Sequence, residues 1–237
     1  TAQAANPLAV PQVSAVQPGP APPLTIFYTG EVTGWTEPCG WPKHPSGGLA
    51  RRAGYEKLFR KAYPDTPLLW LDAGSFSGDK SEAGLRNTQT LLEGMGRLGY
   101  AAANLGEKEL LLGVDRLQEW AKQAAVPLIS SNLVYQDTGD PAFPASVLKT
   151  MTLGKRKLRV GILGLARMNT GPSTSTPDGR RIVTADPLVT AKTLVPPLRK
   201  KCDLLIVLAT LDPNQARELA KQVPGIDMIL GGFGPLE

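Results

Sequence analysis

Histidine and cysteine, the side chains that most often build zinc and redox centres, are nearly absent from the sequence. His44 is the only histidine among 237 residues, and Cys39 and Cys202 are the only cysteines. One histidine, with a cysteine five residues before it, cannot supply the four ligands of a structural zinc site. The two cysteines also lack the spacing of a metal-binding or redox motif. We therefore expect no zinc module, and we place His44 on the surface of a Pro- and Gly-rich loop.

Long apolar runs and blocks of like charge are also missing. No apolar run reaches the roughly 18 residues that a membrane-spanning helix needs. The net charge of +5 is scattered, with no block of five or more like charges, so its basic pairs fit solvated faces better than a nucleic-acid patch. With 42% apolar and 20% charged residues, the chain can bury a core. We expect a folded chain with no transmembrane segment and no nucleic-acid partner.

Proline is concentrated at the start of the chain. Residues 1–23 contain six prolines among Ala, Gln and Val, a composition that favours extended, weakly packed backbone. We interpret residues 1–23 as a linker or a strand-like arm at a mature, exported N-terminus. Residues 24–237 are expected to form one domain.

Within residues 24–237, short apolar runs alternate with helical patterns. Strands are predicted at 24–28, 68–71, 100–103, 127–130, 147–153, 158–163, 204–208 and 227–230. Helices are predicted at 47–62, 82–98, 114–124, 187–200 and 213–222. Residues 154–157 join two strands as a hairpin. This alternation predicts an α/β fold of two packed mixed sheets flanked by helices, a four-layer α-β-β-α sandwich.

The predicted helix at 47–62 has an aliphatic side that we expect to face the core. This side contains Leu49, Ala53, Leu58 and Ala62, at the spacing of an amphipathic helix. The basic residues fall largely outside it; they are Arg51, Arg52, Lys57 and Arg60.

The strand at 68–71 ends in a small polar turn, Asp72-Ala73-Gly74-Ser75. Ligands of open α/β sheets lie beyond the carboxyl ends of the strands. We therefore take this turn as a candidate wall of an active site. Ser75 stands at the point where metal chemistry would favour a carboxylate.

Several motifs, in their order and spacing, resemble the N-terminal domain of the 5′-nucleotidase family, within the calcineurin-like metallophosphoesterases. They are Gly47-Gly48-Leu49-Ala50-Arg51, Leu71-Asp72-Ala73-Gly74 and the stretches 126–132, 160–165, 203–211 and 223–232. The loop Glu37-Pro38-Cys39-Gly40 resembles that of a bacterial exported subgroup. The resemblance implies a periplasmic or cell-surface location. It also implies two divalent metals, hydrolysis of nucleotide phosphate esters and a C-terminal substrate domain outside this stretch.

The resemblance breaks down at the family's metal ligands. Its Asp-x-His falls on Glu31-Val32-Thr33, and its Gly-Asp falls on Gly74-Ser75. Its Gly-Asn-His-Glu falls on Gly106-Glu107-Lys108-Glu109. Lys108 therefore occupies the position of the family's catalytic histidine. A later lone histidine falls on Thr210, and the final pair of histidines falls on Phe233 and Pro235. The vestigial metal positions are thus Glu31, Thr33, Ser75, Glu107, Thr210, Phe233 and Pro235.

The residues at these positions are compatible with three functions. Most of the replacements ligate metals poorly, and the loss of nearly all ligands should abolish tight metal binding. We therefore expect a non-catalytic binding or scaffolding module with no cofactor and an unknown protein partner. One alternative is an active phosphoesterase whose Glu31, Glu107 and Glu109 hold Mg²⁺ or Ca²⁺. The other is a redox-associated module that uses Cys39.

Further expectations concern single residues near the vestigial site. Removing two dications leaves acidic turns without counter-ions, so we expect Lys108 to lie among Glu31, Asp72 and Glu107 as a replacement positive charge.

Cys39 and Cys202 should lie at opposite edges of a sheet, too far apart for a disulfide. We expect two free thiols, or a Cys39 that pairs outside this chain. The aromatic residues near the site are expected to cap a dry former pocket or to form a partner-binding patch; they are Trp35, Trp41 and Phe76.

Overall fold

The computed structural model of the chain describes residues 19–39, 46–168, 174–175 and 179–232. Most of the expected N-terminal arm lies outside these residues. So do Trp41, His44, Phe233 and Pro235, and the side chain of Glu107.

The described residues form strands and helices close to the predicted ones. The strands are β1 Thr25–Thr29, β2 Leu68–Asp72, β3 Tyr100–Asn104, β4 Leu128–Ile129, β5 Leu133–Tyr135, β6 Ser146–Leu153, β7 Arg156–Leu165, β8 Thr174–Ser175, β9 Arg181–Thr184, β10 Leu204–Ala209 and β11 Met228–Gly231. The helices are α1 Leu49–Ala62, α2 Glu82–Leu98, α3 Glu107–Leu110, α4 Val114–Ala124, α5 Pro187–Arg199 and α6 Pro213–Gln222. Each predicted element is found, with its ends shifted by two residues at most.

Two main sheets face each other. The first has the order β1-β2-β3-β4, and all of its strands are parallel. The second has the order β11-β10-β7-β6, in which β6 and β7 form the predicted antiparallel hairpin. Buried residues of both sheets meet in one core, where Leu69 and Leu71 pack with Ile162, Ile206 and Leu208. The two-sheet sandwich is confirmed, although the first sheet is parallel throughout and only the second is mixed.

Helices cover the outer faces of the sandwich. The first sheet packs Trp70, Tyr100 and Leu128 against residues of α2 and α4 such as Leu92 and Leu117. On the far side, α5 and α6 cover β10 with a second outer core. The layers therefore run α-β-β-α, as the alternation of strands and helices predicted.

A third, small sheet was not predicted from the sequence. Its order is β5-β9-β8, and all of its pairs are antiparallel. Leu133 pairs with Thr184, about fifty residues along the chain. Strands of two to four residues show too few alternations for the pattern to be read, and no hairpin turn joins β5 to β9. Only the folded chain brings these short segments together.

The predicted apolar face of α1 is wrong except at Leu49, which is half-buried and lies against Gly94 of α2. None of the residues of α1 is fully buried, and Leu58 is 50% exposed. The sheet-facing positions are Arg52, Glu56 and Phe59, which are half-buried. The aromatic ring of Phe27 on β1 explains this, because its centroid lies 5.1 Å from that of Phe59. The helix rests on an edge strand through aromatic and polar side chains, so the aliphatic pattern did not identify its inner side.

No helix in the described ranges is both long and apolar enough to cross a bilayer.

Two glycine substitutions test the packing of the helices. A Cβ at Gly96 in α2 would lie 1.9 Å from the backbone oxygen of Ala124 in α4, whereas one at Gly54 in α1 would have nothing within 4 Å. We expect Gly96→Ala to lower the free energy of unfolding by about 1–3 kcal/mol through overpacking. Gly54→Ala should instead raise it by up to about 1 kcal/mol. Urea unfolding of both variants measures this, and equal effects would contradict the close approach of α2 and α4.

Candidate functional site

The carboxyl ends of strands from both main sheets meet at one edge of the sandwich. A Cβ on Gly74, after β2, would lie 2.6 Å from Cγ2 of Thr210, after β10. A Cβ on Gly232, after β11, would lie 2.5 Å from Cγ of Glu31, after β1. The turns of one sheet therefore touch the turns of the other.

The predicted site positions that the structure describes lie along this contact. A Cβ on Gly106, after β3, would be 2.9 Å from Oγ of Ser75 and 3.1 Å from Cγ2 of Thr210. Ser75, Thr210 and the start of α3 are thus neighbours. Glu31 lies exposed on the adjoining turn, against Gly232.

Three of these positions have an uncommon backbone conformation. Glu31, Thr33 and Ser75 have positive φ angles of 50°, 49° and 58°, a region that costs a non-glycine residue about 1–2 kcal/mol. Hydrogen bonds between the β1 and β2 turns hold this geometry. The N–H of Glu31 donates to Gly74 over 2.9 Å, and that of Thr33 donates to Ser75 over 3.0 Å. Left-handed residues that persist in this way are typical of functional sites.

A buried carboxylate joins the β2 turn to the β3 turn. Glu109 is fully buried, and its Oε2 accepts the N–H groups of Gly106 at 2.7 Å and Ser75 at 3.1 Å. Its Oε1 accepts the N–H of Ser77 at 2.8 Å. Such charge-assisted bonds are stronger than neutral ones. Glu109 therefore holds the backbone of the two turns together. Its oxygens are poorly placed to bind a metal, as the hypothesis of an active phosphoesterase with Glu31, Glu107 and Glu109 as ligands requires.

Lys108 does not neutralise the site. Its side chain is exposed, and in the described part of the chain no carboxylate lies within ion-pair distance of it. The predicted placement of Lys108 among the acidic residues is wrong, because Asp72 is fully buried while Lys108 faces solvent. In the single turn of α3, Glu109 points inward and its neighbour points out.

The donor atoms at this edge do not fit two divalent metals. Ser75 and Thr210 offer neutral hydroxyls, and the Thr210 hydroxyl already accepts the N–H of Arg167 at 3.1 Å. Both oxygens of Glu109 are occupied by backbone donors. Among the described residues, no three His, Cys, Asp or Glu side chains are grouped as a metal site. A pair of divalent ions needs several anionic or imidazole ligands, which the described residues of this edge do not present.

Sequence reasoning missed a buried polar cluster beneath the site. Asp72 is fully buried and accepts hydrogen bonds from the hydroxyl of Thr29 and from the N–H of Gly74, the latter over 2.8 Å. The Thr29 hydroxyl also lies 3.2 Å from the Tyr100 hydroxyl. Burial raises the pKa of Asp72 to about 7 and that of Tyr100 to about 12. The available signal was an aspartate directly after an apolar strand.

The cysteines and aromatic residues are not arranged around one pocket. Both described cysteines are free thiols, Cys39 exposed and Cys202 buried, as predicted. Trp35 is 60% exposed, whereas Phe76 is completely buried. These two rings therefore differ in environment, Trp35 facing solvent and Phe76 the core, while Trp41 lies outside the described residues.

Comparisons with known proteins identify the fold and the relatives. No family model matches the chain. The 5′-nucleotidase of Vibrio vulnificus is 25% identical over 226 residues, which cover 88% of this chain and 39% of that protein. The solved 5′-nucleotidase precursor from Thermus thermophilus superposes with a TM-score of 0.68 at 27% identity, over 88% of this chain and 41% of its own. This chain has the fold of a 5′-nucleotidase domain and resembles one in sequence.

A third relative comes from Bacillus subtilis. The trifunctional nucleotide phosphoesterase YfkN of Bacillus subtilis is 30% identical over 199 residues, which cover 68% of this 5′-nucleotidase-like domain and 13% of that protein. The domain spans well under half the length of each of these relatives. Their activities are therefore not transferred to it by similarity alone.

A charge-removing substitution tests the anchor role of Glu109. In Glu109→Gln the side chain keeps its size, but an amide N–H₂ replaces one acceptor and faces backbone donors. We expect a loss of about 2–4 kcal/mol in the free energy of unfolding, since bonds to charged groups and unsatisfied buried donors are both costly. Glu82→Gln is the matched control, because that side chain is 84% exposed and should change stability little.

The pH dependence of stability tests Asp72. Its pKa rises from 3.8 to about 7 on folding, so the folded state holds a proton that the unfolded state has released. The stabilisation from protonated Asp72 is complete below pH 3.8 and is lost as the pH rises through about 7, by up to about 4 kcal/mol. In Asp72→Asn this loss should disappear. Urea unfolding between pH 5 and pH 8 measures it, and parallel profiles for the two proteins would contradict the assignment.

Proposed function

We propose that this 5′-nucleotidase-like domain is a non-catalytic module, exported from the cytoplasm, that binds a ligand or a partner. The observation that carries this proposal is the use of Glu109. Its carboxylate accepts hydrogen bonds from three backbone N–H groups. The edge is therefore held together by hydrogen bonds within the protein.

The electrostatics of the edge supports the same proposal. A dinuclear centre needs a concentration of negative charge to hold two cations about 3.5–4 Å apart. Here the pKa of Asp72 is raised to about 7, which removes part of its charge at neutral pH. Glu31 is a single exposed carboxylate, and the hydroxyls of Ser75 and Thr210 are neutral. These groups supply too little charge to attract a pair of dications.

The geometry of the turns supports a domain that keeps the backbone of a metal site but does not bind the metals. The left-handed residues Glu31, Thr33 and Ser75 are at the positions where the family resemblance puts ligands. The strained backbone remains while the donor side chains have changed.

An exported location is part of the proposal. It rests on the Pro-rich segment 1–23 and on the loop that contains Glu37 and Cys39.

Metal titration and phosphatase assays test this function. We expect no release of p-nitrophenol from p-nitrophenyl phosphate, and no phosphate from AMP, above a protein-free blank with Mn²⁺, Zn²⁺ or Mg²⁺. Calorimetry with Mn²⁺ should show no stoichiometric binding, because the ligands of a dinuclear site are missing.

The Thermus thermophilus 5′-nucleotidase, assayed in parallel, is the positive control for both measurements. Turnover that depends on added metal, together with two equivalents of bound Mn²⁺, would refute the non-catalytic proposal.

A further inference from the structure

We propose that the cavity between the β1 turn and the start of α1 binds a small organic monoanion, with Arg52 as its counter-charge. This inference goes beyond the proposed function, since Arg52 belongs to α1 and is not one of the vestigial metal positions. It holds or fails independently of whether the domain is catalytic.

The cavity has room for a small organic molecule. Its volume is about 610 Å³, within the range typical of ligand pockets. Tyr28, Val32 and Trp35 supply an apolar and aromatic wall, and Arg52 also lines the cavity. Tyr28 and Trp35 are 49% and 60% exposed, large values for rings of this size. An aromatic wall of this kind favours a ligand with a flat or apolar part.

The guanidinium group of Arg52 lacks an anionic partner in the described part of the chain. Its Nη1 atom is shielded from solvent and has no hydrogen-bond acceptor. One turn further along α1, Glu56 could have paired with it. Both oxygens of Glu56 are already used, Oε1 by Arg60 at 2.6 Å and Oε2 by Trp70 at 2.8 Å.

The neighbours beneath Arg52 do not neutralise it either. The Tyr100 hydroxyl lies near the Arg52 side chain but brings no formal charge. Asp72 interacts with Arg52 at longer range, and no ion pair joins them. Arg52 is half-buried, and losing part of its hydration without a close counter-ion carries a cost. An anionic group from a ligand would relieve that cost with a charge-assisted bond.

The other charges around the cavity restrict the ligand. Glu31 and Glu37 line it as well, and both are exposed. They repel a dianion more strongly than a monoanion, because Coulomb energy scales with the charge. An oxyanion with a single charge and an apolar or aromatic body satisfies Arg52, the aromatic wall and these carboxylates together. Carboxylate geometry suits the planar guanidinium fork.

Calorimetric titration with three matched probes tests the ligand class. Benzoate is a planar monoanion, benzamide is its neutral counterpart, and phenyl phosphate carries more negative charge. We expect benzoate to bind at least about tenfold more tightly than benzamide, the order expected for a charge-assisted hydrogen bond, and more tightly than phenyl phosphate. Equal binding of benzoate and benzamide, or no binding of benzoate, would overturn the proposal. Tighter binding of phenyl phosphate would overturn the preference for a monoanion.

A pair of neighbouring arginines provides the matched variants. Arg52→Met should weaken benzoate binding by about tenfold or more, since it removes the anchoring charge. Arg51→Met is the control, because Arg51 is exposed on the same helix and should leave benzoate affinity unchanged. Equal losses in both variants would contradict a specific role for Arg52.

Unfolding without ligand separates a binding role from a structural one. If Arg52 serves to bind an anion and does not stabilise the fold, Arg52→Met should unfold at the same or a higher urea concentration than the parent protein. Benzoate should then raise the unfolding midpoint of the parent but not that of the variant. A variant that is strongly destabilised without ligand would show that Arg52 is structural and would overturn the proposal.

Discussion

Three backbone N–H groups converge on the buried carboxylate of Glu109, and the geometry of the sheet edge depends on that contact. The donors come from the turns after β2 and β3, which parallel strands necessarily place side by side. Once these turns are joined, hydrogen bonds from the β1 turn to Gly74 and Ser75 can hold Glu31 and Thr33 in left-handed conformations. The edge is thus stabilised by the protein's own carboxylate.

This arrangement changes the electrostatic character of the edge. A hydrolytic dinuclear site is an open cluster of anionic and imidazole ligands. In this protein the buried carboxylates are enclosed: Glu109 by amides and Asp72 by Thr29 and Gly74. Arg52, by contrast, is half-buried and has no ion-pair partner among the described residues. The proposed monoanion site beside β1 uses that positive charge, in a fold whose relatives are named 5′-nucleotidase and nucleotide phosphoesterase.

Much of the fold was predictable because its signals are local. Helices α2, α4 and α6 have the predicted bounds, since capping residues and apolar periodicity lie within each segment. The small sheet β5-β9-β8 was missed because its pairing is long-range and its strands are short. The inner side of α1 was predicted wrongly because the surface that it meets, the rings of Phe27 and Trp70, is assembled from separate strands.

The sequence alone determined the α/β sandwich, the family resemblance and the presence of hydroxyl side chains at Ser75 and Thr210. Those conclusions need only residue types and their order along the chain. The tertiary structure decided that Glu109 accepts backbone N–H groups, that Lys108 faces solvent and that Arg52 lines a cavity. Burial, hydrogen-bond partners and unpaired charge arise from contacts between distant segments. The identity of a charged residue in the sequence does not reveal whether its side chain will meet solvent, backbone amides or no partner in the folded protein.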